Sequence, residues 1–146
     1  MDILSYNPGH DGAVVHLRDG HLVSSVEAEK DSNWRYSPIA GRDLLDAFGR
    51  LEEVPDVVCT GGWWPREARL TGSPFHVGYR GIAKDTITVD RGAFFGKSVP
   101  FFSSSHERSH LLCAFGMSPF PQGSPCYALV WEGAIGAFYE IDPDMN

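Results

Sequence analysis

The dipeptide Asp19-Gly20 constrains the start of this chain more than any other feature of the sequence. It separates two extended segments, Ala13–Arg18 and His21–Glu27, and an Asp-Gly pair in that position favours the two-residue type I′ turn of a β-hairpin. A third extended segment, Ile3–Tyr6, precedes the hairpin and is joined to it by the polar segment Asn7–Gly12. The start of the chain therefore predicts three consecutive strands with short connections.

A helical pattern follows this three-stranded unit. Ser37 followed by Pro38 predicts the N-cap and the first position of a helix. The apolar residues expected on its buried face recur at helical spacing and are Leu44, Leu45, Phe48 and Leu51.

The middle of the chain has little periodicity. A short buried strand is predicted at Asp56–Thr60, where the apolar run stops at two consecutive glycines. The polar, glycine-rich stretch 61–97 is predicted to be a long loop or insertion with one short strand at Thr86–Val89. Loops of this length commonly carry function or mobility.

Regular structure returns near residue 99. A strand at Val99–Ser103 leads into a helix predicted over Ser105–Met117, and Ser104 followed three residues later by Glu107 has the pattern of a capping box. A second hairpin is predicted over residues 127–141, with its turn at Glu132-Gly133.

Charge and composition disfavour several classes of function. There are 12 Lys and Arg against 19 Asp and Glu, so the net charge is −7, the wrong sign for a nucleic-acid partner. The three cysteines lack the spacing of a disulfide framework or a Cys-x-x-Cys metal site, which favours a reducing, cytoplasmic compartment. Residues 109–131 contain no Asp, Glu, Lys or Arg, but their prolines would break a membrane-spanning helix, so no membrane partner is expected.

His106 and His110 are the strongest candidates for metal ligands. Their spacing of four residues on a predicted helix places both imidazoles on one face, as two ligands of one divalent ion require, although surface histidine pairs without metal also have this spacing. Glu132, at the end of a predicted strand, is either a third ligand or an ordinary turn residue. Cys113 shares this side of the helix, and we interpret it as a small buried hydrophobic residue rather than a ligand.

The connection 7–12 is the second candidate site. Backbone N–H groups in a tight polar turn can face an anion, and His10 would be the catalytic residue beside it. Alternatively, Asp11 only satisfies backbone donors of the turn. With Gly133 of the later turn, the candidate cofactor-binding residues are Asn7, Gly9, Asp11 and Gly12.

Together these segments resemble the amino-terminal part of the NodU/CmcH family of O-carbamoyltransferases. The family typically reads Gly-x-x-His-Asp-x-Ala before an Asp-Gly hairpin, and this chain has Asn7–Ala13 before Asp19-Gly20. The family's His-x-x-x-His helix is matched by residues 106–110, followed by Ala-Phe at 114–115 and Ser-Pro-Phe at 118–120. A later Asp-Gly turn, whose Asp is a metal ligand in the family, is Glu132-Gly133 here.

The resemblance implies an α/β fold: a ribonuclease-H-like subdomain of the actin-like and Hsp70-like ATPases, with a mixed sheet and flanking helices. Residues 1–125 would form this first subdomain, with an insertion at about 61–97, and residues 126–146 would open a second, truncated subdomain. Members of the family are several times longer, so we expect this chain to lack the nucleotide-base pocket and the YrdC-like domain that supplies carbamoyl adenylate.

The implied function is transfer of a carbamoyl group from carbamoyl adenylate to a hydroxyl of a secondary metabolite, supported by ATP and carbamoyl phosphate. A divalent metal, iron by resemblance, would be held by His106, His110 and Glu132. One alternative is a threonylcarbamoyl-transfer protein of tRNA modification, which carries the same histidine pair. Another is a non-catalytic or partner-dependent fragment that binds metal or nucleotide. We also expect self-association or a carboxy-terminal partner polypeptide that covers the second hairpin.

Overall fold

The computed structural model describes residues 1–61, 63–69, 78–79, 87–133 and 135–144. These residues form strands and helices in the following order: β1 (Asp2–Asn7), β2 (Ala13–Arg18), β3 (His21–Glu27), α1 (Ala28–Ser32), α2 (Gly41–Gly49), β4 (Val57–Gly61), β5 (Trp63–Arg69), β6 (Gly78–Tyr79), β7 (Thr88–Phe94), β8 (Lys97–Ser104), α3 (His106–Gly116), β9 (Cys126–Glu132) and β10 (Ile135–Ile141).

Six of these strands form one mixed sheet in the order β3-β2-β1-β4-β8-β7. Strands β1, β2 and β3 are antiparallel neighbours, whereas β1 pairs with β4 and β4 with β8 in parallel. Strand β7 closes the far edge antiparallel to β8. The α/β class predicted from the sequence is confirmed, and the parallel strands β1, β4 and β8 all end at the same edge of the sheet.

The predicted opening hairpin is confirmed at its turn. Asp19 and Gly20 have φ angles of 50° and 78°, the two positive values that a type I′ turn requires. The guanidinium of Arg18 beside the turn donates from Nε and Nη2 to the carboxylate of Asp2 on the neighbouring strand.

One face of the sheet packs against α2. The buried residues of this core come from five strands, from α1 and α2 and from the segment between these helices, and include Leu4, Val14, Val26, Val58, Val99, Ile39 and Ala47. Leu44, Phe48 and Leu51 pack against it as predicted, but Leu45 is 77% exposed and does not belong to the buried face. The apolar stripe is therefore narrower than the sequence indicated.

The predicted start of α2 is also wrong. The helix begins at Gly41, and the carboxylate of Asp43 accepts a hydrogen bond of 2.8 Å from the N–H of Ala40. Ser37 has other partners, since its hydroxyl donates to the carbonyl of Trp34 and its own carbonyl accepts the N–H of Gly12. The segment before α2 is thereby tied to the first loop instead of starting the helix.

The prediction of a long loop over 61–97 is wrong where this stretch is described. Strands β5 and β6 pair with each other, and β7 extends from Thr88 to Phe94, beyond the short strand that was expected. Thr86, the predicted start of that strand, lies outside the described residues. Gly92 interrupts the apolar pattern of β7. The ring of Phe101 on β8 fills the space that a side chain at position 92 would take, since a Cβ added there would lie 2.9 Å from its Cε2 atom.

The second predicted hairpin is confirmed as a separate two-stranded sheet of β9 and β10. Val130 and Ile141 are buried, whereas the large apolar side chains of Tyr127, Leu129, Trp131 and Phe138 are exposed. The proposed subdomain boundary near residue 125 stays a prediction. Among the described residues, no helix is long and apolar enough to cross a membrane.

Replacement of Gly12 by alanine should destabilise the fold. Its N–H donates to the carbonyl of Ser37, and an added Cβ would lie 2.3 Å from the backbone nitrogen of Ile39 and 2.8 Å from the carbonyl carbon of Pro38. Because backbone atoms cannot rotate away, we expect a loss of about 2 to 3 kcal/mol in the free energy of unfolding, measured by urea denaturation.

Gly49→Ala is the matched control for Gly12→Ala, because the Cβ added at Gly49 has no heavy atom within 4 Å. In a helix this change should leave stability unchanged or raise it by up to about 1 kcal/mol. Equal midpoints for the two variants would contradict the close approach at Gly12.

Candidate metal centre and its cleft

The carboxyl ends of β1, β4 and β8 border a cleft of about 470 Å³. Crevices at the carboxyl ends of parallel strands are the usual ligand sites of open α/β sheets. The side chains that line it come from the loop after β1, the end of β4, helix α3 and the end of β9, and include His10, Asp11, Thr60, His106, His110 and Glu132. Both candidate sites of the sequence therefore open into one cleft.

Helix α3 carries the histidine pair, and Ser105 fixes its start. The Oγ of Ser105 accepts the N–H of Arg108 at 3.1 Å, so Ser105 is the N-cap. The predicted capping box of Ser104 and Glu107 is wrong, because Ser104 still belongs to β8 and its hydroxyl lies 3.1 Å from that of Ser109. The helix begins where the sheet ends, and this places His106 directly at the mouth of the cleft.

Gly61 lets α3 approach the end of β4 closely. A Cβ at Gly61 would lie 2.8 Å from the Oγ of Ser109. Ser109 in turn donates to the carbonyl of Ser105 at 2.9 Å. The first turns of α3 are thus held against the sheet by small side chains.

Three potential ligand atoms converge above this helix. The Nε2 atoms of His106 and His110 lie 2.9 Å apart. The Oε2 atom of Glu132 is 2.6 Å from Nε2 of His110 and 3.8 Å from Nε2 of His106. Within the part of the chain that the structure describes, His106, His110 and Glu132 form a group whose ligand atoms all lie within 4.8 Å of one another. The structure therefore brings together the three residues predicted as metal ligands.

The electrostatics of this group favour a neutral imidazole at His106. Partial burial, followed by the neighbouring His110, lowers the pKa of His106, and the nearby Glu132 carboxylate only partly opposes this. The side chain of His106 is 18% exposed, while His110 and Glu132 are more open to solvent. Two imidazole nitrogens and a carboxylate oxygen within 4.8 Å of one another are close enough to bind one metal ion.

The loop after β1 is organised by Asn7. Its Nδ2 group donates to the carbonyl of His10 at 2.9 Å, and its Oδ1 atom accepts the N–H of Gly9 at 3.2 Å. Asp11 has a φ of 54°, and its carboxylate lies 2.8 Å from the Nδ1 atom of His10. The ring of His10 is 6.2 Å from that of His106, so the predicted catalytic histidine lies beside the histidine pair.

The glycines predicted as cofactor-binding residues have structural roles in the described chain. The N–H groups of Gly9 and Gly12 already donate to Asn7 and to Ser37, and Gly133 adopts a φ of 51° in the turn of the second hairpin. None of the three lines the cleft, whereas Asn7 and Asp11 do. Nucleotide binding by these residues stays a prediction.

Some features of the cleft and of helix α3 beside it were not found from the sequence. Cys113 is exposed and lines the cleft, so its interpretation as a buried core residue is wrong. Cys59 also lines it, and burial raises the pKa of this thiol to about 11. The hydroxyl of Tyr139 donates to Glu107, which raises the pKa of Tyr139 to about 12. Glu107 and Tyr139 are 32 residues apart, so no local sequence pattern indicates their hydrogen bond.

Three relatives are similar to this chain over almost its whole length. The chain is 51% identical over 145 residues to 3'-hydroxymethylcephem-O-carbamoyltransferase of Amycolatopsis lactamdurans and 47% identical to the protein of the same name from Streptomyces clavuligerus. Nodulation protein U of Rhizobium tropici is 29% identical over 161 residues. These matches cover 97%, 99% and 97% of this chain.

These matches agree with the resemblance to the NodU/CmcH family. The chain spans about a quarter of the length of these relatives, 27% of both cephem enzymes and 28% of the nodulation protein. No family model matches the chain, and no solved structure does.

Loss of the N-cap of α3 should be measurable in the stability of the chain. Ser105→Ala removes the hydroxyl oxygen that accepts the N–H of Arg108, and such substitutions cost about 1 kcal/mol. We expect this decrease in urea denaturation, with Ser25→Ala at an exposed position of β3 as the control that leaves the midpoint unchanged. Equal stability of the two variants would show that Ser105 does not cap the helix.

Proposed function

We propose that this chain is the amino-terminal, ribonuclease-H-like portion of an O-carbamoyltransferase that transfers a carbamoyl group from carbamoyl adenylate to a hydroxyl. The fold assignment is supported by the strand order, in which an antiparallel three-stranded unit continues through β1 into the parallel strands β4 and β8. The activity is supported by the names of the relatives, two of which are O-carbamoyltransferases at about half identity. The observation that carries the proposal is the convergence of His106, His110 and Glu132 in the same cleft as His10.

A divalent metal ion fits the residues present. Two imidazole nitrogens and a carboxylate oxygen converge, and a cation satisfies all three lone pairs at once. Two imidazoles and one carboxylate are also a donor set that iron(II) accepts, in agreement with the iron that the resemblance implies. His106, His110 and Glu132 would hold the ion, which would supply positive charge beside the phosphate of the adenylate.

His10 is the proposed catalytic residue. With its Nδ1–H donated to the carboxylate of Asp11 at 2.8 Å, the Nε2 atom keeps its lone pair and can accept the proton of an acceptor hydroxyl. Asp11 fixes the tautomer and the orientation of the ring, and Asn7 fixes the loop through the carbonyl of His10. The hydroxyl oxygen would then attack the carbamoyl carbon and AMP would leave.

The cleft is the proposed site for ATP and carbamoyl adenylate, with Asn7 and Asp11 among its lining residues. The acceptor is a small molecule with a hydroxyl group, and a hydroxymethylcephem is the first to test because two relatives are named for it. Carbamoyl phosphate would be processed by a domain outside residues 1–146, and the reaction would take place in the cytoplasm.

The second hairpin is the proposed contact with further polypeptide. Its exposed face carries Tyr127, Leu129, Trp131 and Phe138, and an apolar patch of this kind favours a protein contact. We propose that a carboxy-terminal partner polypeptide covers it, or a second copy when the chain is alone. The relatives are almost four times as long as this chain, which is consistent with the first arrangement.

The tRNA-modification alternative is not favoured. The net charge of −7 opposes binding to a phosphate backbone, and the relatives are two carbamoyltransferases and a nodulation protein. The alternative of a non-catalytic fragment is not favoured either, because the three potential ligands and His10 are present together.

Metal binding by the isolated chain tests the proposed centre. We expect wild type to bind close to one divalent ion per chain, and His106→Ala or His110→Ala to bind at least tenfold more weakly, because each removes one of three ligands. Metal content after dialysis and isothermal titration with Fe²⁺ under argon would measure this.

His21→Ala is the matched control, since His21 is an exposed histidine on β3 outside the cleft. It should bind metal as wild type does. Wild type and His110→Ala with the same, substoichiometric metal content would refute the metal centre.

Carbamoyl transfer can be tested in a chimaera in which this chain replaces the corresponding quarter of the Amycolatopsis lactamdurans relative. With ATP, carbamoyl phosphate and a hydroxymethylcephem, the chimaera should form the carbamate, and His10→Ala should lower kcat by about 10² or more, as expected for loss of a general base. His21→Ala should leave the rate unchanged. A folded, active chimaera that is indifferent to His10→Ala would exclude His10 from the reaction.

A further inference from the structure

Glu107 lies between the two histidines, in the pattern His106-Glu107-Arg108-Ser109-His110. In zinc proteases a glutamate in this pattern activates the metal-bound water. Here the carboxylate has another partner, because the hydroxyl of Tyr139 on β10 donates to its Oε1 atom, and Glu107 does not line the cleft. Glu107 is therefore not placed to activate a water molecule in the cleft.

The partner of Glu107 belongs to the hairpin that supplies Glu132. Strands β9 and β10 form a sheet separate from the main sheet, and β9 contacts α3. Glu132 ends β9, and its 46% exposed side chain places the carboxylate opposite His110. The position of this ligand depends on how the hairpin sits on the helix.

The hydrogen bond of Tyr139 fixes the hairpin at a second point. In the register of the two strands, Ile135 pairs with Glu132. Tyr139 lies four residues further along β10 and pairs with Ala128. At about 3.4 Å per residue, this point lies roughly 14 Å along the hairpin from Glu132. Strand β9 already contacts α3, and the hydrogen bond adds a restraint from β10 on the orientation of the hairpin.

We propose that Glu107 and Tyr139 are positioning residues of the metal centre: their hydrogen bond holds the hairpin β9–β10 on α3 so that Glu132 meets His106 and His110. This inference rests on the metal centre proposed above. Residues that orient a metal ligand without touching the ion typically change metal affinity by 10- to 100-fold when they are replaced. Glu107 is then an acceptor for a tyrosine and not a base.

The test measures Co²⁺ binding to the 146-residue chain, because Co²⁺ takes the same nitrogen and oxygen ligands and its visible spectrum reports its coordination. Tyr139→Phe and Glu107→Ala each remove the hydrogen bond and should weaken Co²⁺ binding about tenfold. Glu107→Gln keeps an oxygen that accepts the tyrosine hydroxyl and should stay within about threefold of wild type. Tyr127→Phe, which changes an exposed tyrosine of the same hairpin, is the matched control.

A double-mutant cycle separates positioning from general destabilisation. If Tyr139 acts through Glu132, then Tyr139→Phe should lower Co²⁺ affinity in wild type but not in Glu132→Gln, where the ligand is already lost. The Co²⁺ spectrum of Tyr139→Phe should also shift towards that of Glu132→Gln. Circular dichroism confirms that each variant is folded, and Glu107→Ala takes the place of Tyr139→Phe in the cycle if the latter does not fold.

The outcomes distinguish this inference from the metal centre itself. Wild type that binds no Co²⁺ would overturn the centre and the positioning role together. Wild type that binds Co²⁺, with Tyr139→Phe unchanged or equally weakened in the Glu132→Gln background, would overturn only the positioning role.

Discussion

The parallel pairing of β1, β4 and β8 is the constraint on which the candidate site depends. It places Asn7, Gly61 and Ser104 at one edge of the sheet, because parallel strands end on the same side. The loop with His10 leaves from the first of these ends and α3 starts immediately after the last. Two segments about a hundred residues apart in the chain therefore meet within 6.2 Å, the separation of the His10 and His106 rings.

Much of this arrangement could be predicted where local chemistry decides it. Asp19-Gly20 specifies its turn through two positive φ angles, and a histidine spacing of four brings two imidazoles together on any regular helix. Glu132 was found because a turn residue interrupts an apolar pattern. In each case a single residue or one spacing carries the signal.

The remainder depended on contacts that no local pattern contains. Ser37 looks like an N-cap, but its carbonyl is bound to Gly12, whose lack of a side chain is explained only by the approach of Pro38 and Ile39. Gly92 looks like a break in β7 until the ring of Phe101 is seen above it. Tertiary packing decided both cases, which is why the full length of β7 and the true start of α2 were not predicted.

The choice of glutamate at position 132 follows from the placement of its strand. The Oε2 atom reaches the Nε2 atom of His110 at 2.6 Å from the end of a hairpin that lies outside the main sheet. An aspartate on the same backbone would end one carbon–carbon bond, about 1.5 Å, earlier and would meet the histidines only if the hairpin moved inwards. Such a movement would compete with the hydrogen bond between Tyr139 and Glu107, which holds the hairpin at its present distance. The length of the side chain at position 132 must therefore match the distance between the hairpin and the histidines. Glutamate has the length that this distance requires when Tyr139 is bonded to Glu107.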